Sequence, residues 1–217
     1  MKILTVTDIH GAYQKVVEMV DKEKPDLLII GGDLTTYGSV ADVQKALDLF
    51  KQVSDNLYCI SGNMDAKEHD DYYKQSGISI NGIGKVIEDV GIFGVSAAPI
   101  SPLRTPYEIS EELIESILQS GFRDVLSARV KILIAHAPPY DTAVDIVRSG
   151  KHVGSNAVRK FIEKEKPDVV VCGHIHEARG KDKLGPTTII NCGEGSRGYY
   201  GIITIEDKTI NVENMSL

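Results

Sequence analysis

The sequence is poor in cysteine, and its three cysteines are widely spaced. Cys59, Cys172 and Cys192 are odd in number and have no close pairing, which argues against a disulfide framework and favours a reducing compartment. Cys59 and Cys172 lie inside apolar runs, so we expect buried small hydrophobic side chains there rather than redox or metal groups. We therefore expect a cytoplasmic protein.

The sequence also lacks the runs that lead a protein to a membrane or to nucleic acid. No apolar stretch approaches the length of a membrane span, and Asp8 comes too early for the apolar region of a signal peptide. No run rich in Lys and Arg occurs, and the net charge of -7 argues against a general nucleic-acid surface. We therefore expect neither a membrane nor nucleic acid as a partner.

The absence of linkers and low-complexity segments predicts one domain over residues 1–217.

Short apolar runs alternate with amphipathic segments along the chain. KILTVTD, DLLIIGGD and NLYCISGN are predicted strands, and they are separated by two helical patterns, the first of which Pro25 closes. VKILIAH, NAVRKFIEKEK and DVVVCGH repeat the same plan. These βαβ patterns indicate mostly parallel, covered sheets.

The remaining segments predict smaller elements. Residues 78–95 predict short antiparallel strands, which form either a dimer edge or plain surface. ISEELIESILQSG predicts a helix that Ser110 caps and Gly121 stops. The final segment predicts closing strands with a hairpin at Asp207-Lys208.

One stretch of sequence occurs twice in similar form. EKPDLLIIGGD (residues 23–33) resembles EKPDVVVCGH (residues 165–174), each with a helix end, four apolar residues, glycine and a side chain that can bind metal. The similarity reflects either an ordinary helix-to-strand connection or two similar halves whose two sheets share one core.

Five of the apolar runs end in side chains that can bind metals. These side chains are those of Asp8, His10, Asp33, Asn63, His136, His174 and His176. The carboxyl ends of parallel strands form one rim, so although each residue alone is typical of a turn or cap, together they predict one site. Such ligands suit Mn, Fe, Zn or Ni. They are too many for one ion and fit two ions about 3.5–4 Å apart.

The ordered motifs D-x-H, G-G-D, G-N-x-[D/E], H-x-P-P and G-H-x-H resemble the calcineurin-like metallophosphoesterase superfamily. The resemblance implies an α/β fold, a four-layer α/β/β/α sandwich of two mixed β-sheets flanked by helices. It also implies a site for two divalent ions, manganese being our first expectation and Fe, Zn or Ni the alternatives. The family pattern assigns Asp8, His10 and His176 to one ion, Asn63, His136 and His174 to the other, and Asp33 to both.

The same resemblance implies hydrolysis of phosphodiesters or small-molecule phosphate esters by a metal-bridging hydroxide, with Asp33 and Asn63 as catalytic residues. Met64 departs from the family, which commonly has a histidine there that contacts phosphate and protonates the leaving group. Methionine cannot donate a proton. We therefore expect activated esters or diesters to be preferred, because general acid catalysis is worth about 10²–10⁴-fold. His69 could in principle substitute, but an exposed position on a helix surface is the favoured interpretation.

Two further residues are candidates for substrate binding beside Asn63. Arg104, in a proline-punctuated loop, could clamp a phosphate or be a solvated loop residue. His152 lies in a glycine-flanked loop near the predicted rim. Tyr140 and Asp141 follow His136 closely, so we expect them in the pocket wall.

The alternative function is a catalytically weak, metal-binding scaffold of the same fold, because a retromer subunit resembles this family, lacks the motif histidine and serves mainly as a scaffold. All seven ligand positions here keep metal-capable side chains, which favours an enzyme. A nuclease fits the acidic charge less well. A homo-oligomer stays open.

Overall fold

The computed structural model describes residues 1–207 and 209–217. The helices in the described part of the chain are α1 (Tyr13–Glu23), α2 (Val40–Phe50), α3 (Lys67–Gln75), α4 (Glu111–Asp124) and α5 (Asn156–Glu165). Its strands are β1 (Lys2–Val6), β2 (Leu27–Gly31), β3 (Leu57–Ile60), β4 (Lys85–Ile87), β5 (Val90–Val95), β6 (Ala98–Pro99), β7 (Glu108–Ile109), β8 (Val130–Ala135), β9 (Val169–Cys172), β10 (Gly180–Leu184), β11 (Thr187–Asn191), β12 (Tyr199–Glu206) and β13 (Thr209–Ser216).

The long strands form two mixed sheets. The first has the order β13-β12-β1-β2-β3, in which β1, β2 and β3 are parallel and β12 and β13 run antiparallel. The second has the order β10-β11-β9-β8-β5-β4, with parallel strands in the middle and antiparallel strands at both edges. The short strands β6 and β7 pair separately. The predicted antiparallel pairing within residues 78–95 is therefore confirmed for β4 and β5.

The core lies in three layers between the sheets and the helices. Neighbouring residues of β1 point to opposite faces, so Ile3 packs between the two sheets while Leu4 packs beneath α1 and α2. Ile132 of β8 packs against the first sheet, and Leu133 packs beneath α4 and α5. This alternation gives the order helices, sheet, sheet, helices and confirms the four-layer α/β/β/α sandwich.

The repeated sequence corresponds to a repeated connection in the two sheets. Lys24 and Lys166 end α1 and α5 in the left-handed conformation, with φ of 49° and 51°. The carboxylate of Asp26 then accepts a hydrogen bond from the backbone N–H of Lys2. Asp168 accepts one at 2.8 Å from Lys131 in the other sheet. The shared detail supports two similar halves whose sheets share one core.

The predicted end of α4 at Gly121 is wrong. The helix continues to Asp124, and Gly121 is buried within it. A side chain at Gly121 would place its Cβ 3.1 Å from the Cβ of Phe93, so the glycine permits close packing of the helix on the sheet. The predicted cap is confirmed, because Ser110 accepts a hydrogen bond from the N–H of Leu113.

The predicted hairpin at Asp207-Lys208 includes Lys208, which lies outside the described residues. The strands on either side of it, β12 and β13, pair antiparallel up to Glu206 and Thr209. Within the described ranges, the helices are all too short or too polar to cross a membrane.

Candidate metal centre

The centre lies where the carboxyl ends of strands from both sheets meet. Asp8 follows β1, Asp33 follows β2 and Asn63 follows β3, while His136 and His174 follow β8 and β9 of the other sheet. The Nδ1 atom of His136 lies 3.0 Å from the carbonyl oxygen of Gly31, a contact that joins the two sheets at this edge.

The backbone of the centre is strained. Asp8, His10, Asp33 and His174 all have left-handed φ values, between 48° and 63°. Such a conformation costs a non-glycine residue on the order of 1–2 kcal/mol. Strain of this kind is retained where the surrounding structure fixes a residue for function. The turns after β1, β2 and β9 therefore serve to aim these side chains.

The seven predicted ligand residues fall into two groups that share the aspartates. In the first group, the ligand atoms of Asp8, His10 and His176 all lie within 4.8 Å of one another. The Nε2 atom of His176 lies 3.1 Å from Oδ1 of Asp8. Asp8 is held by the backbone N–H of His174, which donates to both of its carboxylate oxygens.

The second group contains Asn63, His136 and His174. The amide oxygen of Asn63 lies 3.0 Å from Nε2 of His136 and 2.7 Å from Nδ1 of His174. Asp33 lies between the two groups, because its Oδ2 atom is 3.5 Å from Nε2 of His136 and 3.8 Å from Nε2 of His10. The structure thus brings together all seven residues that the sequence singled out.

Two carboxylates concentrate negative charge at the centre. Asp8 and Asp33 are buried, and in the described ranges their only ion-pair partners are histidines. Burial by itself would lower the pKa of His136, but the carboxylates of Asp33 and Asp8 outweigh it and raise the pKa to about 9. Buried carboxylates of this kind require a compensating cation, which without a metal is the protonated His136. The donor set also fits divalent metal ions, whose binding would displace that proton.

The pKa of His174 shifts in the opposite direction. Burial, followed by the nearby charge of His136, lowers the pKa of His174 to about 3. Its imidazole is therefore neutral at physiological pH and keeps a lone pair, as a metal ligand requires.

Three residues whose roles the sequence analysis did not assign support the ligands. The hydroxyl of Thr36 lies 2.8 Å from Nδ1 of His10, and a carboxylate oxygen of Glu194 lies 3.7 Å from Nδ1 of His176. The carboxylate of Asp65 lies beneath the loops that carry Asp33 and Asn63. It accepts hydrogen bonds from the backbone of both loops. Asp65 occupies the acidic position of the G-N-x-[D/E] motif, which was the available signal.

The glycine-rich segment around Glu194 approaches the centre closely. The N–H of Gly195 donates to the carbonyl of Thr7 at 2.9 Å, and the N–H of Ser196 donates to that of Asp8 at 3.1 Å. A Cβ atom on Gly195 would lie 2.6 Å from the Thr7 oxygen. The glycine is thus required by a close backbone contact beside a ligand and not only by the turn.

Met64 contributes its backbone to the centre. Its N–H donates to Oδ1 of Asp33 at 2.7 Å, and its side chain is half-buried. The predicted exposure of His69 is wrong, because this residue is completely buried on α3. Its Nε2 atom lies 3.1 Å from the carbonyl of Gly38, and its Nδ1 atom lies 3.5 Å from Asp65. His69 supports the loops from below and has no path to a substrate.

Arg104 and His152 are the predicted substrate-binding residues outside the cluster. Arg104 is exposed in a turn with φ of 53°. His152 lies 2.6 Å from Oδ1 of Asp145 through Nδ1, and its Nε2 lies 3.7 Å from Asp141. In the hydrogen bonds and ion pairs of the described residues, neither Arg104 nor His152 contacts the seven ligand residues. The ring of Tyr140 packs edge-on against that of His152, with 5.9 Å between their centroids.

The N-cap of α5 is Ser155. Ser155 accepts a hydrogen bond from the N–H of Val158 at 3.1 Å.

Comparisons with known sequences identify relatives of the chain. The family model described as calcineurin-like phosphoesterase matches residues 1–178. The uncharacterized protein MJ1162 of Methanocaldococcus jannaschii is 35% identical in an alignment of 206 positions that covers 92% of this chain and 91% of that protein.

Comparisons with solved structures concern the fold alone, because the identities are low. TT1561 of Thermus thermophilus matches with a TM-score of 0.75 and 16% identity, over 98% of each chain. A dimetal phosphatase from Danio rerio matches with a TM-score of 0.67 and 8% identity, over 100% of this chain and 96% of its own.

Proposed function

The chain belongs to the calcineurin-like phosphoesterase family, and on that premise we propose that it hydrolyses phosphodiesters or small-molecule phosphate esters with two divalent ions. Metal-dependent hydrolysis of phosphate esters is the general activity of this family. The observation that carries the proposal is the convergence of five other metal-capable side chains on two buried aspartates.

We assign Asp8, His10 and His176 to one ion and Asn63, His136 and His174 to the other, with Asp33 shared between them. The position of Asp33 between the two groups supports the shared role. When bound, the ions would neutralise phosphate charge and lower the pKa of water at the site. Manganese is our first expectation, and Fe, Zn and Ni suit the same donors.

The protein contributes orientation. The N–H of Met64 fixes one oxygen of Asp33, which leaves the other oxygen directed at the histidines of both groups. The amide oxygen of Asn63 is directed at His136 and His174. The amide N–H₂ therefore lies on the other side of the same carbon, where we assign it to a phosphate oxygen of the substrate.

The side chain at position 64 bears on the choice of substrate. Methionine supplies no proton to a leaving group, and the burial of His69 excludes that residue as its replacement. We therefore propose that activated esters and diesters are hydrolysed faster than monoesters of alkyl alcohols.

The test compares initial rates on bis(4-nitrophenyl) phosphate and 4-nitrophenyl phosphate with added Mn²⁺ and after chelation. Asp33→Asn is the test variant, and Asp48→Asn, an exposed carboxylate on α2, is the matched control. We expect Mn²⁺-dependent turnover of the diester that is lost in Asp33→Asn and kept in Asp48→Asn.

Calorimetric titration with Mn²⁺ separates the two functions that the sequence left open. Mn²⁺ binding without turnover of either ester would favour the scaffold. Faster hydrolysis of an alkyl monoester such as O-phosphoserine than of bis(4-nitrophenyl) phosphate would be consistent with an enzyme but would refute the role given to Met64.

The cytoplasmic location and the homo-oligomer stay proposals. All three cysteines are free and buried, which supports a reducing compartment. β4 is an edge strand with exposed Val86, which is where an oligomer contact would be tested first.

A further inference from the structure

A cavity of about 610 Å³ opens beside the metal centre. Two loops enclose it, residues 98–105 on one side and residues 147–156 on the other, and its inner end reaches His174 and Ile175. The volume is within the range of about 300–1,000 Å³ that is typical of small-molecule sites, and it is far larger than a phosphate group needs. The cavity can therefore hold the rest of a substrate whose phosphate lies on the ligand cluster.

The walls of this cavity are mainly apolar. Ile100 is 71% exposed, Leu103 is 81% exposed and Val153 is 40% exposed, and Val147 also lines the cavity. Large apolar side chains that are exposed together around a concavity indicate a surface that a ligand covers.

The two acidic residues of the lining, Glu108 and Glu111, accept hydrogen bonds from other groups of the protein. Glu108 accepts hydrogen bonds from the backbone and hydroxyl groups of Ser101 and Thr105, and these outweigh its burial and lower its pKa to about 2. Glu111 accepts three hydrogen bonds at the start of α5, from Ser155 and the two residues that follow it. Both carboxylates are therefore structural.

The charge of the lining residues also limits which substrate groups can enter the cavity. The lining, as far as the described residues form it, contains no lysine or arginine. A second anionic group held inside the cavity would meet two carboxylates and an apolar wall, with no lysine or arginine among the described lining residues to balance it. This is unfavourable in a partly enclosed site.

We propose that this cavity binds an uncharged apolar ester group of the substrate, an aryl or branched alkyl group, while the phosphate lies on the metal ligands. The inference rests on the proposed function and narrows its range of substrates. It selects substrates with one phosphate and an apolar group over nucleotides that carry further phosphates.

Non-hydrolysable phosphonates test the inference by binding, independently of turnover. The Mn²⁺-loaded chain is titrated by calorimetry with methylphosphonate, phenylphosphonate and 4-carboxyphenylphosphonate. We expect phenylphosphonate to bind at least about tenfold more tightly than methylphosphonate, since each buried methylene is worth about fourfold. The added carboxylate should remove that gain.

A pair of double variants locates the effect. Ile100→Gln/Leu103→Gln should lose the preference for phenyl, and Leu113→Gln/Leu126→Gln, on the outer side of α4 and the turn after it, should keep it. All four leucine and isoleucine side chains are largely exposed, so both variants are expected to fold.

Each other outcome contradicts a different statement. Equal affinity for methylphosphonate and phenylphosphonate, both dependent on Mn²⁺, overturns the apolar subsite and leaves the proposed function intact. A preference for phenyl that Ile100→Gln/Leu103→Gln retains also overturns the assignment to this cavity. Absence of phosphonate binding to the Mn²⁺-loaded chain overturns the proposed function together with the subsite.

Discussion

Asp65 is predicted to hold the metal centre in shape, although it lies outside the ligand set. Its side chain is completely buried and accepts four hydrogen bonds. Oδ1 accepts from the backbone N–H and the hydroxyl of Thr35, at 2.9 and 2.8 Å. Oδ2 accepts from the N–H of Leu34 at 3.1 Å and from that of Gly62 at 2.9 Å. The carboxylate thereby ties the loop after β2 to the loop after β3.

The cost of its replacement follows from these donors. Asp65→Ala leaves three backbone N–H groups and a hydroxyl without their acceptor. At about 1–3 kcal/mol for each buried unsatisfied group, the expected loss is about 4 kcal/mol or more. Asp65→Asn keeps one oxygen, but its N–H₂ group must face at least one backbone N–H, so we expect a loss of about 2–3 kcal/mol.

The assay is urea unfolding of the metal-free chain, followed by calorimetric titration of each folded variant with Mn²⁺. Because Asp33 and Asn63 lie on the two loops that Asp65 joins, Mn²⁺ affinity should fall in Asp65→Asn even under conditions where the variant is fully folded. Asp48→Asn is the matched control and should match the unsubstituted chain in both measurements. An unfolding free energy of Asp65→Ala within about 1 kcal/mol of the unsubstituted chain would refute the reasoning.

Two tyrosines and one ion pair provide the remaining predictions. The hydroxyl of Tyr107 donates to buried Asp70 at 2.9 Å, so Tyr107→Phe should lower the unfolding free energy by about 1.5–3 kcal/mol in urea titrations. The buried hydroxyl of Tyr73 has no partner among the described residues, so Tyr73→Phe should be neutral or stabilising, and an equal loss in both variants would contradict the argument. The hydrogen bond with Asp145 raises the pKa of His152 above 6.5, so this pair stabilises the fold fully below pH 6.5 and progressively less as pH rises through the raised pKa. Asp145→Asn should lower the pKa of His152 measured by NMR, and an unchanged pKa would refute the assignment.

The ligand residues could be predicted from the sequence because each follows a recognisable strand. A run of apolar residues that ends in glycine and a polar side chain gives both the strand and the point where it stops, as at Asp33 and His174. The parallel arrangement of the strands then requires the polar ends to meet. Little beyond local pattern was needed for this part of the site.

The supporting residues could not be predicted in the same way, because they lie in polar sequence but are buried. The segment KEHDDYY gives no apolar face for His69 or Asp70, yet both lie beneath the centre. Asp70 accepts hydrogen bonds from the hydroxyls of Ser61, Ser96 and Tyr107. These partners come from three separate segments, so their burial depends on tertiary contacts that hydrophobic periodicity does not record.

The cavity could not be predicted from the sequence for a related reason. Its walls come from residues 98–105 and 147–156, two loops without a shared sequence pattern. Single exposed apolar residues are common in loops, and only the fold brings Ile100, Leu103 and Val153 around one opening.

The junction of distant strand ends also bears on how the chain unfolds. Asp8 and His176 are separated by 168 positions, and each belongs to a different half of the sandwich. Contacts between such remote segments form only after a large loop closes, which places them late in folding. A cation bound by both residues would link the two halves of the sandwich. Such a cation would slow unfolding and thereby increase the resistance of the folded chain to proteolysis. It would leave the rate of folding nearly unchanged.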